Sequence, residues 1–411
     1  MNESTFKIVE FPSKQYVMPL SKNRRIESID LLRGIVMIIM ALDHVRDYFH
    51  YDAFLFNPTD LEQTSVALFF TRWVTHFCAP VFVFLAGISA YLYGNKKSKK
   101  ELAFFLLTRG LWLVFVELFI ISLELTFNPS YPILNLQVIW ATGISMIVLS
   151  AMIYLRPRLI FLIALLLITG HNLLDKVHVT SKGMPAFLWS VLHEPGDFRM
   201  GQFNVFVRYP VLPWIGILAI GYCFGKLYAA GYDDKKRKKV LLFCGTCVII
   251  LFVLLRINNF YGDAANWSIQ KNEVFSLLSF INVTKYPPSL LYVLVTIGPA
   301  LIALAVLERP LNSVSNKIIV FGRVPFFYYI THRFLIHLFA LIASVFSGYH
   351  WQDMILNNSV NSTPWLKGYG FNLITVYLVW IALIFILYPF CKRFERFKRT
   401  HNNKYWWLSY L

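Results

Sequence analysis

Long apolar runs recur along the chain at 28–48, 65–94, 104–125, 135–155, 158–174, 208–230, 240–257, 287–307, 316–346 and 367–390. Each is near the ~20 residues that cross a bilayer as a helix. The pattern predicts an all-α membrane bundle of ten transmembrane helices. No short apolar region with a small-residue cleavage site opens the chain, so the first run reads as an anchor and not a removed signal. No internal repeat relates the two halves. The longest polar stretches, 171–208 and 258–286, are too short for a second domain and are expected to line or cover an outward-facing cavity. The chain thus divides into an N-terminal arm (1–27), a membrane domain (28–391) and a basic tail (392–411).

Charge adds orientation. Lys and Arg gather before residue 26 and at 96–100, 156–158, 235–239, 309–317 and 392–404, and the alternate connections are poor in them. Cytoplasmic loops retain positive charge, so both termini are expected in the cytoplasm, with the chain in the inner or plasma membrane. The net charge is +17, but the basic clusters sit beside spans, where anionic lipid headgroups explain them; nucleic acid is not an expected partner. Composition agrees with a membrane class: 57% of residues are hydrophobic and 15% charged, against roughly 45–50% and about 25% in soluble domains. Of the five cysteines, Cys244 and Cys247 form a "CGTC" inside an apolar helix, which reads as small-residue packing and not as a redox or metal motif. No metal site is expected.

The first run, "SIDLLRGIVMIIMALDHVRDYF", nevertheless carries Asp30, Arg33, Asp43, His44, Arg46 and Asp47. Ionisable groups inside a bilayer are costly and usually functional. Arg33 and His44 are eleven residues apart, which on a helix leaves them about 20° apart in facing and about 16 Å apart in height. Asp30 and Asp47 extend the same stripe by one turn at either end. A guanidinium near the inner face suits a phosphate, and an imidazole deeper in suits proton transfer. Asp43 or Asp47 is placed to orient that imidazole. The structural alternatives are snorkelling of Arg33 to lipid phosphate and a hydrogen bond from His44 to a neighbouring helix.

Two further runs carry similar chemistry. In "TRWVTHFCAPVFVFLAGISAYL", Arg72 and His76 share a face and Pro80 predicts a kink, a place where cavities form. In "GRVPFFYYITHRFLIHLFAL", His332 and Arg333 fall near mid-membrane, and His337 lies about 140° around the helix from His332, so the two imidazoles cannot address one spot. Arg72, His76, His332 and Arg333 are candidates for contacting substrate. Glu117 and Glu124 share a face and are natural ion-pair partners for Arg72 or Arg333. "YPVLPW" and "KYPPSLL" open spans with prolines and interfacial aromatics, and either can shape the entrance for an acceptor.

With these residues in view, the chain resembles bacterial members of the heparan-α-glucosaminide N-acetyltransferase-like family. The resemblance rests on "SIDLLRGIVMIIMALDH", "RWVTHFCAPVFVFLAGISAYL", "YPVLPWIGILAIGYCFGKLY", "KYPPSLLYVLVTIGP" and "GRVPFFYYITHRFLIH", which run in order from residue 28 to about 337. The Arg33 and His44 arrangement is also similar to that of bacterial membrane O-acyltransferases that decorate surface sugars, in which the matching His is taken as catalytic. The resemblance implies transfer of an acyl group, expected to be acetyl, from cytoplasmic acyl-CoA to an amine or hydroxyl of a glycan or glycolipid on the far side. Arg33, with Asp30 beside it, would hold the donor's phosphates. In the lysosomal enzyme the position matching His44 is an Asn and the catalytic His lies in the loop before the second span. Here that loop offers His50 without the surrounding "HASWNG", so the base is His44 by one relative and His50 by the other.

Two other classes fit the same residues. Intramembrane Arg and His with kinked spans suit a transporter or flippase for an amphipathic anionic envelope precursor, and a scaffold without chemistry is the third reading. Membrane lipids are expected partners in every case, and self-association into a homo-oligomer is compatible with each.

Overall fold

In hydrocarbon a backbone must satisfy its own polar groups, which leaves helices and closed barrels as spanning structures. The computed structural model describes residues 26–180, 183–401 and 404–409, and within them helices dominate. The arm expected before residue 26 lies outside the described residues. In chain order the helices are α1 (Glu27–Phe49), α2 (Val66–Trp73), α3 (Cys78–Gly94), α4 (Lys99–Phe115), α5 (Ser122–Thr126), α6 (Val138–Met152), α7 (Pro157–Gly170), α8 (Met184–Leu192), α9 (Leu212–Phe224), α10 (Asp234–Asn258), α11 (Glu273–Ile281), α12 (Leu290–Val306), α13 (Ser313–Arg323), α14 (Pro325–Phe346) and α15 (Leu373–His401).

Among the described residues six helical segments are long and apolar enough to cross a membrane: Val66–Gly94, Lys99–Thr126, Pro157–Leu174, Asp234–Asn258, Pro325–Phe346 and Leu373–His401. The other four predicted runs fall on α1, which is long but heavily charged, and on the shorter apolar α6, α9 and α12. The kink expected near Pro80 takes the form of a 3-10 turn at Val74–Phe77 between α2 and α3, and a π-helical stretch at Val116–Ile121 separates α4 from α5. The run expected as one helix over 316–346 is two. Pro325 cannot continue a helical hydrogen-bond ladder, and the residue before it, Val324, leaves the helical region at φ −129°, ψ 50°. α15 continues through His401, so the beginning of the basic tail is helical.

An all-α expectation is incomplete in one respect. Strands β1 (Ile133–Leu136), β2 (Gly196–Met200) and β3 (Phe203–Val207) form a small sheet in the order β1-β3-β2. β1 pairs parallel with β3, placing Leu136 opposite Val207, and β2 pairs antiparallel with β3. It lies in the connections, where water can serve the sheet edges.

α1 is the centre of the bundle, packed against α3, α12, α13, α14 and α15. The helices approach through small residues, as membrane helices do when close backbone contact is what holds them. Gly110 faces Gly143 between α4 and α6, Gly245 of the "CGTC" meets Gly298 between α10 and α12, and Gly87 and Gly221 join α3 to α9. The tightest approach is α1 on α13, where Gly34 lies against the Ile318 carbonyl and a Cβ on Gly322 would overlap the carbonyl oxygen of Asp30.

The two ends of the bundle differ in character. Arg33 of α1 reaches Ser89 of α3 at 2.9 Å, Gly225 packs on Tyr91, and Arg237 pairs with Glu308 at 2.5 Å. Arg323 pairs with Glu395 at 2.9 Å and stands 3.8 Å from Asp30. These contacts gather the basic segments 96–100, 235–239, 309–317 and 392–401 at the N-terminal end of α1. At the opposite end the polar connections tie to one another: Tyr51 N–H donates to Phe371 O, Leu356 N–H to Thr126 O, Arg208 N–H to Leu136 O, and Asn282 Nδ2 to Thr59 O.

The α1–α13 crossing gives a stability prediction. Gly322→Ala is expected to lower the unfolding midpoint in detergent by an amount equivalent to roughly 1–3 kcal/mol, the usual cost of overpacking. Gly170→Ala, whose nearest neighbour would be Leu166 Cδ1 at 3.5 Å, should be close to neutral. Equal behaviour of the two variants would show that the crossing tolerates separation.

Candidate active site

Residues 43–47 of α1 bring four ionisable side chains into less than two turns, and the fold answers each of them. Asp43 accepts from Arg46 Nη2 on its own helix at 2.8 Å and from Arg72 Nη1 of α2 through its other oxygen. Arg46 Nη2 also donates to Asp47 at 2.7 Å, and Asn361 Nδ2 lies 3.4 Å from the same Asp47 oxygen. Two carboxylates and two guanidiniums thus form one neutral quartet, with the Arg46 side chain only 3% exposed.

His44 points elsewhere. Its Nδ1 is 2.9 Å from His332 Nε2 on α14, and His332 Nδ1 is 2.8 Å from the Tyr328 carbonyl oxygen. A carbonyl only accepts, so His332 Nδ1 carries its proton. In the neutral ring His332 Nε2 is then the acceptor, His44 Nδ1–H is the donor, and His44 Nε2 is left with its lone pair. Arg333 Nη1, which can only donate, stands 3.4 Å from that Nε2. All hydrogen bonds in this row run one way, from Arg333 through His44 and His332 to a backbone oxygen. The near-coplanar imidazoles, 11° apart, and the Tyr328 ring stacked 4.9 Å from His332 hold the orientation. Arg333 Nε faces Glu124 Oε2 at 3.8 Å, while Glu117 accepts the Trp140 backbone N–H at 2.9 Å. Of the two expected glutamates, Glu124 is therefore the counter-ion of Arg333, and Arg72 pairs with Asp43 instead.

These groups border a cavity of about 510 Å³ at the C-terminal end of α1. Asp43, His44, Arg46, Asp47, Arg72 and Arg333 line its floor and walls. The connections at that end close round it with Asn57, Gln137, Arg208, Tyr209, Lys285, Tyr286 and Asn361. Both proline-rich segments noted in the sequence, "YPVLPW" and "KYPPSLL", thus stand at the cavity.

Several expected site residues lie apart from it. Arg33 shares a helix face with His44 but not a cleft. Its guanidinium donates to Asp30 at 3.0 Å, to the Gly322 carbonyl at 3.1 Å and to Ser89. Arg33 and Asp30 bind α1 to α13 and α3, and neither lines the cavity. His50 caps the end of α1: its Nδ1 accepts from Asp52 N–H at 3.2 Å, its ring stacks on Tyr51, and it is buried without lining the cavity. His76 is buried against Tyr292, whose hydroxyl donates to the His76 carbonyl at 2.8 Å. His332 is also outside the cavity lining and acts on His44 from behind. The orienting group for His44 is therefore His332, and not Asp43 or Asp47, both of which face arginines. His337 lies between two backbone acceptors, its Nδ1 2.7 Å from Glu124 O and its Nε2 2.9 Å from Met354 O, and can only donate to them.

A partly buried imidazole whose unprotonated Nε2 meets only a long 3.4 Å contact from a guanidinium, and whose other nitrogen is held by a second ring, is the equipment of acyl transfer: a base for the nucleophile's proton and a donor for the developing oxyanion. A family model described as heparan-alpha-glucosaminide N-acetyltransferase, catalytic, matches residues 25–253, more than half of the chain. The chain belongs to this family. It is accordingly an integral membrane protein of an acetyltransferase family. The matched segment of the family contains Asp43, His44, Arg46, Asp47, Arg72 and Arg208, while Lys285, His332 and Arg333 come from beyond it. No match to a curated protein was found.

Removing one member of the charge quartet should be costly, because it leaves a buried charge unanswered. Asp43→Asn is expected to destabilise the protein by roughly 3–5 kcal/mol in detergent unfolding. Asp43→Asn combined with Arg72→Gln should lose less than the two single changes together, with a coupling of roughly 0.5–3 kcal/mol. Simple additivity would mean that the two side chains do not act as a pair.

Proposed function

We propose that this protein transfers an acyl group, acetyl in the first instance, from acyl-CoA to an amine or hydroxyl of a sugar in the cell envelope, with His44 as general base. The observation that carries the reading is the one-way hydrogen-bond row from Arg333 to the Tyr328 carbonyl, which leaves His44 Nε2 as an acceptor beside the cavity. The nucleophile's N–H or O–H gives its proton to Nε2 as the nitrogen or oxygen attacks the thioester carbon. The carbonyl oxygen gains negative charge beside Arg333. Collapse breaks the C–S bond, and the proton returns from His44 to the departing sulfur, yielding the acylated sugar and free CoA.

His332 contributes by position. It accepts the Nδ1 proton of His44 and so selects the tautomer in which Nε2 is bare. Loop residues Tyr209, Tyr286 and Asn361 give a sugar both stacking faces and hydrogen-bonding groups. The basic segments lie at the other end of the bundle, and the retention of positive loops supports an extracytoplasmic cavity. Donor and acceptor then approach His44 from opposite sides, the donor along the bundle from the cytoplasmic end. The transporter reading is less well supported, since the matching family model is that of an acetyltransferase catalytic domain.

The test is transfer of labelled acetyl from acetyl-CoA to sugar amines by the purified protein. His44→Ala is expected to lower kcat by roughly 10²–10⁴-fold, the usual share of a general base. His50→Ala should retain near-normal kcat. His332→Ala should lower kcat less than His44→Ala and move the pH–rate profile, because the tautomer is no longer held. Full activity in His44→Ala with loss in His50→Ala would transfer the role of base to the capping histidine.

A further inference from the structure

The cavity's charges do not balance. Asp43 and Asp47 answer Arg46 and Arg72, and Glu124 faces Arg333, which exhausts the carboxylates of the lining. Two cations remain in the lining, Arg208 and Lys285, both on connections between elements. Arg208 meets Asp197 at 2.9 Å in a pair whose side chains are 38% and 55% exposed, an arrangement worth little in water. Lys285 has no carboxylate partner among the described residues, and its ammonium lies 5.3 Å from the Tyr286 ring centre. Catalysis would add to the imbalance, because a proton taken by His44 creates an imidazolium beside Arg333.

We infer that Lys285 and Arg208 form an anion subsite, and that the acceptor is a sugar bearing its own phosphate or carboxylate group a short distance from the nucleophile. The inference rests on the proposed acyl transfer and deepens it by naming the acceptor's class. The anion is held by the two cations of the connections while the amine or hydroxyl reaches His44 on α1. Its negative charge lowers the cost of forming the imidazolium, so it acts on kcat as well as on binding. Placement on connections at the C-terminal end of α1, away from the basic end of the bundle, also assigns the subsite to the acceptor and not to the donor's phosphates.

Glucosamine and glucosamine 6-phosphate are suitable probes, used with the full-length protein in detergent, with binding followed by calorimetry and transfer by labelled acetyl. The expected result is a kcat/KM at least about tenfold higher for the phosphorylated sugar, equivalent to about 1.4 kcal/mol, with tighter binding in the absence of donor. Lys285→Gln and Arg208→Gln should each lower kcat/KM for the phosphorylated sugar far more than for neutral glucosamine, removing most of that preference, and leave the KM for acetyl-CoA unchanged; added salt should weaken the preference. Equal use and equal binding of the two sugars would overturn the subsite while leaving acyl transfer intact. A rise in the KM for acetyl-CoA in Lys285→Gln, absent when dephospho-CoA derivatives are compared, would also overturn it, by assigning the two cations to the donor. A binding preference that survives without any acetyl transfer would uphold the subsite and refute the enzymatic reading.

Discussion

Charge within hydrocarbon must be met by opposite charge, and Asp43 meets it on both sides. One oxygen takes Arg46 from the next turn of α1 and the other takes Arg72 from α2. These bonds fix how α1 is rotated about its axis, because neither guanidinium can be left without a partner where water is scarce. The residue after Asp43 on the helix is His44, about 100° further round. Once Asp43 is committed to the arginines, His44 has to face α14, and there it meets His332. The chemistry of the site therefore depends on an ion pair that takes no part in it.

Much of this was legible in the sequence. Hydropathy located the apolar segments, and Asp43, His44, Arg72 and Arg333 were conspicuous because ionisable groups are rare in such surroundings. Helical periodicity also separated His332 from His337 correctly as to direction, with the first toward α1 and the second toward backbone carbonyls. Helical facing alone did not bring Arg33 to the cavity that His44 lines. A shared stripe on one helix becomes a shared cleft only if neighbouring helices leave the space open, and Gly322 brings α13 so close that the space there is filled by backbone. Single-helix geometry contains no information about that neighbour.

Pairings across distant segments were equally hidden. The partner that orients His44 is 288 residues away, so sequence proximity pointed to Asp43 and Asp47 instead. Lys285, Arg208 and Asn361 carried only weak signals: a lysine before "YPP", an arginine before "YPVLPW", and an asparagine in a polar connection. The break at Val324–Pro325 was visible as a proline inside an apolar run, but hydropathy windows average over such a residue and see one span.

The small sheet joins β1 to β3 across 71 positions of chain, through a backbone ladder backed by one apolar face of Leu136, Val205 and Val207. Ladder bonds are indifferent to side-chain identity so long as residues tolerate an extended conformation. The frame around the entrance is consequently decoupled from the groups displayed on it. Substitution of the residues displayed on the outer side of that frame can thus alter what the doorway admits without rebuilding it or disturbing the histidines beneath.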